Sequence, residues 1–200
     1  MAYLVSSAAT VFSANESRVI VDVLPRTQAR YTAFFDHSCL PITMPFPNHQ
    51  LSMTVLMTPD MANFSGKVHG GHILKLLDQV AYACASRYAG MYVVTLSVDR
   101  VLFRQPIRVG ELVTFLASVN YTGNTSMEVG IKVVSEDIHK GIATHTNSCF
   151  FTMVAMNADG TPGKVPPLEP RTDEEKKRHA NAELRKELRK EHEERMNNLK

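Results

Sequence analysis

A surplus of charge of either sign is missing from this 200-residue sequence. Its 22 Lys and Arg stand against 20 Asp and Glu, a formal net charge of +2. No global field therefore draws it to nucleic acid or to an anionic membrane, and neither is expected as a partner. Long apolar runs are missing too. The longest, such as Val80 to Ala85, fall far short of the ~18 residues of a membrane span. Cysteine is scarce. Cys39, Cys84 and Cys149 are odd in number and widely spaced, and no C-x-x-C pair occurs, which argues against a disulfide framework and a zinc site. A reducing, cytoplasmic compartment is the expectation.

Several chemical signatures are absent as well. There is no G-x-S-x-G, so a serine of the α/β-hydrolase kind is unsupported. No G-x-G-x-x-G follows a strand. Ser65-Gly66-Lys67-Val68 resembles a phosphate loop only until Val68, which stands where Ser or Thr must hold magnesium. His69 and His72 have a metal-like i,i+3 spacing but no third ligand spaced with them, so no metal is expected.

What is present divides the chain in three. Residues 172–200 hold nine basic and eight acidic residues, and residues 1–47 hold three of each. That leaves 10 basic and 9 acidic residues in 48–171, a neutral stretch of 124 residues and long enough for one core. Residues 1–47 read as an extension outside that core, or as sequence upstream of a start at Met44 or Met53. Val19 to Leu24 is strand-like, and Pro25, Pro41, Pro45 and Pro47 interrupt the stretch after it. The first residues lack the basic n-region of a secretory signal, with no Arg before Arg18. The tail opens on Thr172-Asp173-Glu174-Glu175, a capping-box pattern. The rest reads as a charged helix, solvated or frayed and supported by i,i+4 pairs, because Leu184 and Leu188 alone do not make a pairing seam.

Within 48–171 the strongest helix spans 69–88. Ile73, Leu74, Leu76, Leu77, Val80, Ala81, Ala83, Cys84 and Ala85 cover most of its circumference at 100° per residue. His72, Lys75, Gln79 and Ser86 share one narrow polar side, and Gly90 ends it. Such a helix belongs in an interior. The period then changes from 3.6 to 2. Val94, Leu96 and Val98 alternate with polar residues in a segment running to Pro106. Val113, Phe115, Ala117 and Val119 come next, then the turn Tyr121-Thr122-Gly123-Asn124, then Met127, Val129, Ile131 and Val133. Cys149 to Met156 is apolar on both faces and reads as a central strand, and Leu51 to Met57 supplies a strand before the helix. Strand, helix and four strands make an α+β fold, a five-stranded antiparallel sheet wrapped around the apolar helix.

Chemistry is expected where Asn63 to Gly71 leads into that helix. Gly70 and Gly71 allow close approach to the backbone, and the free N–H groups of a helix N-terminus suit a developing oxyanion. Asp78 is the odd residue. Leu74, Gly71, Ala81 and Ala85 lie within ~60° of it at 100° per residue. It is either a carboxylate whose basicity burial raises, or an Asp at the edge of the polar side bonded to Tyr82 or Lys75. Gly71 and Asp78 are ~10 Å apart along the axis, so one helix cannot easily offer both to one carbonyl. Two helices packed antiparallel can, which implies a dimer with shared sites.

The segments Asn63 to Gly71, Leu76-Leu77-Asp78, Thr95 to Asp99, Asn120 to Gly123 and His145 to Cys149 together resemble the hotdog-fold acyl-CoA thioesterases. The YciA-type and cytosolic acyl-CoA hydrolase branch is the nearest, over about residues 48–171. The resemblance implies hydrolysis of fatty acyl-CoA to free acid and coenzyme A, without metal, cofactor or serine nucleophile. It assigns catalysis to Asn63 and Asp78 from different subunits, Asp78 as general base or as direct nucleophile. It implies substrate binding by Gly70, Gly71, His69, Arg104 and Ser126, although relatives carry an apolar residue at the place of His69. Some of Lys67, Arg100, Arg104, Arg108 and Lys132 should reach the coenzyme A phosphates. Relatives commonly assemble as trimers of dimers, so a homo-oligomer, and a hexamer, is expected. Several carry Arg where this chain has Asn124, and any phosphate or nucleotide contact made by that Arg is in doubt here. Two other readings remain on the same fold, a non-catalytic acyl-CoA sensor and a dehydratase that would need a catalytic His.

Overall fold

The computed structural model describes residues 48–198. The expected N-terminal extension, with Val19 to Leu24 and Cys39, lies outside the described residues. Chain order is β1 (Gln50–Leu56), a 3-10 turn (Pro59–Met61), α1 (Gly70–Ala89) and β2 (Val93–Val98). Then come β3 (Leu112–Thr122), β4 (Ser126–Asp137), β5 (Ile142–Ala155) and α2 (Asp173–Asn197). One five-stranded antiparallel sheet has the order β1-β3-β4-β5-β2.

The sheet closes around α1, which touches all five strands. Ile73, Leu77, Val80, Ala81, Cys84, Ala85 and Tyr88 form its buried face, at the 3-to-4-residue spacing that a helix face requires. They meet the inward residues of β3 (Val113, Phe115, Ala117, Val119) and of β4 (Met127, Val129, Ile131, Val133), all buried as the alternation predicts. Gly90 adopts φ +69° and ends the helix. Among the described residues, no helix is long and apolar enough to cross a membrane.

Two expectations need correction. The alternation of Val94, Leu96 and Val98 does not mark the core face of β2. Val93 and Thr95 stand opposite the buried Ala155 and Met153, so the other phase of the alternation faces the core, and the register against β5 then shifts between Thr95 and Ser97. Val93 is buried, whereas Leu96 is 67% and Val98 44% exposed, and the strand stops at Val98 instead of running on to Pro106. The helix α1 is likewise not enclosed on all sides. Leu74, Asp78 and Tyr82 form an exposed face, with Leu96, Val98 and Tyr92 also exposed on the chain.

The charged tail is mostly exposed and carries the expected i,i+4 pairs, Arg178–Glu174, Lys190–Glu194 and Arg195–Glu191, but it is not detached from the sheet. It docks on the outer face of the sheet, and charge makes the contact. Glu128 on β4 is only 2% exposed, and an ionised carboxylate there is costly unless paired. Arg185 grips it with two nitrogens, Nη2 at 2.6 Å and Nε at 3.2 Å, while its guanidinium lies 3.6 Å above the Phe150 ring. Arg189 reaches Asp99 at 2.7 Å and Glu128 at 3.4 Å. Ala182 is buried just ahead of Arg185 in the helix, and Lys186 donates to the Tyr121 hydroxyl at 3.0 Å.

At its start α2 is capped as the sequence predicts. The Thr172 hydroxyl accepts from Glu175 N–H, and the Glu175 carboxylate accepts from the N–H groups of Thr172 and Arg171. It also meets His49 at 3.1 Å, beside β1. The Thr172 and Arg171 N–H groups, with His49 adding to them, hold the Glu175 carboxyl down to about 2 from its ordinary 4.5. A lowered folded value stabilises the fold above the ordinary value, and that contribution disappears as pH falls from about 4.5 to about 2. Protection of the amides at the start of α2, relative to their intrinsic exchange at each pH, should fall across that window, and Glu175→Gln should remove the pH step.

Candidate active site

The residues before α1 form a tight loop. Ala62 pairs with Val68 as an antiparallel bridge, Asn63 N–H donates to Lys67 O at 2.6 Å, and Gly66 takes φ +72° at the bend. Asn63 is the hub. Its Oδ1 accepts from Ser65 N at 2.9 Å, Ser65 Oγ at 2.8 Å and Lys67 N at 3.1 Å. Three donors fix the orientation of the amide. The oxygen is spent on the loop, so Nδ2 offers its hydrogens to a ligand.

Val68 N–H bonds Ile107 O and His69 N–H bonds Met61 O, which sets the angle at which the chain enters α1. His69 is the residue before the first turn, and its Nδ1 accepts from Gly71 N–H at 2.9 Å. The Gly71 amide is thus already engaged. Gly70 N–H has no partner among the described residues, so of the two glycines expected as donors it is the one left for a ligand. Gly71 also gives its space to the protein: a Cβ there would lie 3.0 Å from His69 Nδ1.

A cleft of about 400 Å³ opens here, walled by Asn63, Lys67, Gly70, Phe103 and Arg104 above an apolar floor that includes Ile73. Among the described residues, no Asp or Glu lines it. It can bind an anionic or carbonyl-bearing ligand and polarise it, but it carries no base of its own. Of the expected phosphate contacts, Lys67 and Arg104 stand on this wall. Lys132 lies in a separate groove beside α2, and Arg108 lines another pocket with Glu111. Ser126 begins β4 opposite Val154 and does not line the cleft.

Asp78 is also outside the cleft. It is exposed on the single chain, so its own chain does not supply the burial the sequence led us to expect. Nor does it bond Tyr82 or Lys75. Its Oδ1 accepts from Thr95 Oγ at 2.7 Å. Thr95 belongs to a segment quoted for its family resemblance, yet nothing in the sequence gives it a role. Thr95 stands opposite the buried Met153, with its hydroxyl 3.6 Å from Met153 Sδ, so its side chain is on the helix side of the sheet. The described cysteines are no nucleophiles. Burial pushes Cys84 up to about 11 and Cys149 up to about 12. Among the described residues, no group of three His, Cys, Asp or Glu side chains is placed to hold a metal ion.

Comparison with known proteins adds to this geometry. A family model described as Thioesterase superfamily matches residues 65–142. Protein VdlD of Helicobacter pylori is 56% identical over 140 residues, 70% of this chain and 80% of that protein. The cytosolic acyl coenzyme A thioester hydrolase of Rattus norvegicus is 38% identical over 144 residues, 69% of this chain but only 38% of that protein. Among solved structures, an apo-hexameric acyl-CoA thioesterase superposes with a TM-score of 0.70 at 38% identity, covering 72% of this chain and 93% of its own. The acyl-CoA hydrolase of Staphylococcus aureus, solved with butyryl coenzyme A, coenzyme A and coenzyme A disulfide, has a TM-score of 0.70 at 29% identity. It covers 76% of this chain and 92% of its own. Alanine variants at one Asn, one Asp and one Thr of that hydrolase have also been solved. The Asp follows the Asn by fifteen residues, and the Thr follows the Asp by 17. Asn63, Asp78 and Thr95 stand at the same two intervals.

The two glycines should respond differently to substitution. A Cβ at Gly70 meets only the Phe103 ring, at 3.8 Å, so Gly70→Ala should keep or raise stability, by up to ~1 kcal/mol from helix propensity. Gly71→Ala must push the His69 ring aside. Its thermal melting point should fall below that of Gly70→Ala.

Proposed function

The chain belongs to the thioesterase superfamily of hotdog-fold proteins, and from that membership we propose that it hydrolyses fatty acyl-CoA to free fatty acid and coenzyme A. The active site is shared between two subunits. Asn63 Nδ2 and Gly70 N–H of one protomer hold the thioester oxygen, and Asp78 of its partner activates water. The Asp78 carboxylate takes a proton as the water oxygen attacks the carbonyl carbon. The oxyanion so formed rests on the two N–H donors. Its collapse breaks the C–S bond, and the departing sulfur recovers the proton from Asp78. Direct attack by Asp78, through a mixed anhydride that water then opens, is the competing route.

One observation carries this reading: the donors and the acid are separated on the single chain. Among the described residues, the cleft holds Asn63, Gly70, Lys67 and Arg104 and no acid, while Asp78 lies outside it on an exposed face with Leu74 and Tyr82. Packing two such faces together buries their apolar side chains, each worth about 1.5–3 kcal/mol when fully covered. The same contact carries Asp78 toward the neighbour's cleft. The matching Asn, Asp and Thr intervals of the Staphylococcus aureus variants support the choice of residues. In this scheme Thr95 orients Asp78 by its hydrogen bond. The reaction uses no cofactor beyond the coenzyme A of the substrate, whose phosphates Lys67 and Arg104 meet. A hexamer built from three such dimers is the proposed assembly, and the apo-hexameric thioesterase shares that subunit number. A cytoplasmic location accords with the relative named cytosolic.

A thiol-release assay from acetyl- to palmitoyl-CoA tests this directly. Asp78→Ala and Asn63→Ala should each lower turnover by at least ~100-fold. Both should keep the parent's oligomer on size-exclusion chromatography with light scattering. Full activity in either variant refutes the assignment. Tight acyl-CoA binding by the unaltered protein with no thiol released would make it a sensor instead.

A further inference from the structure

We propose that His69 is a positioning residue of the thioester site: its uncharged imidazole occupies the Gly71 N–H and leaves the Gly70 N–H as the one free amide for the thioester oxygen. The inference rests on the hydrolase reading above and adds to it the reason for a histidine at this place.

Helices usually begin with Ser, Thr, Asp or Asn, whose short side-chain oxygen accepts from the first turn. Here His69 takes that position in extended conformation, φ −68° and ψ 130°, and its Nδ1 accepts from Gly71 N–H at 2.9 Å. An accepting nitrogen carries no proton, so the imidazole is neutral with its hydrogen on Nε2. The ring is held from both sides of its backbone. Its N–H donates to Met61 O, and its carbonyl accepts from His72 and Ile73. The His72 ring stands edge-on at 6.3 Å, with its own Nδ1 3.3 Å from Met61 O. Gly71 lacks a Cβ where one would lie 3.0 Å from Nδ1 and 3.2 Å from Cε1, so the glycine and the ring form one fitted unit.

The charge of the cap matters as much as its geometry. Adjacent free N–H groups on Gly70 and Gly71 would offer a carbonyl oxygen two registers, displaced along the helix axis. Capping one leaves a single register. An Asp would cap Gly71 as well, but its negative charge would stand one residue from the amide that must stabilise an oxyanion. Among the described residues the cleft wall carries no acid, and it carries Lys67 and Arg104. A neutral nitrogen acceptor preserves that balance where a carboxylate would not.

Three variants of the full chain separate these roles, measured by turnover, KM and thermal melting. His69→Asn keeps a neutral cap and should hold kcat within about threefold of the parent. His69→Asp keeps the cap and the melting temperature, and should lose at least tenfold in kcat with little change in KM. His69→Leu removes the cap and should lose both stability and turnover. In the unaltered chain, the Gly71 amide should exchange more slowly than the Gly70 amide, and nitrogen NMR should place the His69 proton on Nε2. A folded His69→Asp protein with the kcat of the parent overturns the proposal, as does a fast-exchanging Gly71 amide, while both leave the hydrolase reading standing. Absence of thiol release by the unaltered chain removes the hydrolase reading itself, and this proposal with it.

Discussion

A straight α-helix cannot bring its first residue and its ninth to the same carbonyl carbon. Gly70 and Asp78 are separated by eight residues, ~12 Å of rigid rise, and α1 has no kink-forming Pro in its interior. Everything else about the site depends on that spacing. The donors gather at the mouth of the helix, where a loop tied by Asn63 can present them. The acid lies two turns further along, on a face that the chain's own sheet leaves open. A sheet that wrapped α1 completely would hide Asp78 from any substrate. This one leaves a strip uncovered, and on β2 the Thr95 hydroxyl, in register with the buried Met153, points toward the acid.

The opposite face of the sheet is settled by different physics. Inside, the contact between α1 and the strands is apolar and non-directional, and it tolerates any well-packed set of side chains. Outside, α2 is fixed by a carboxylate that cannot remain buried alone. Glu128 selects the position of α2 through Arg185 and Arg189, and Asp99 shares Arg189 at the end of β2. Removing Arg185 leaves the buried Glu128 with only the longer Arg189 contact at 3.4 Å, and a poorly paired buried carboxylate costs more than the intact ion pair contributes. Such a network specifies one docking geometry where two leucines, Leu184 and Leu188, remain half exposed on the helix. Asp99 opens the segment that carries Phe103 and Arg104 to the cleft, so the tail is joined to the wall of the site.

The sequence disclosed most clearly whatever depended on periodicity. The span of α1, the inward residues of β3 and β4, and the capping box at Thr172 all appear where apolar spacing and local hydrogen bonding put them. It disclosed least where the apolar phase of a strand was not the buried one or where polar groups met across long separations. Leu96 and Val98 read as core because their alternation carries no sign that the other phase faces inward. The docking of α2 went unseen because Arg185 and Glu128 lie 57 residues apart, and each alone looks like ordinary solvated charge. The proposed roles of Asn63 and Asp78 come from the resemblance, whereas the capping of Gly71 N–H and not Gly70 N–H could not be read from sequence. That needed the direction of one imidazole ring.

Assembly and chemistry are therefore coupled in the proposed pair. A monomer would leave Leu74, Tyr82 and Leu96 in water, and it would hold a cleft with donors and no base. Covering the apolar face and completing the site are one event, because Asp78 sits among the side chains that would be buried. The carboxylate is the one member of that face whose desolvation opposes association. The Thr95 hydroxyl offsets part of the cost by donating to it before any partner arrives. An apolar residue at position 78 would remove that cost of association and remove the base with it. Under the proposed mechanism, an acid there trades some interface stability for the ability to activate water.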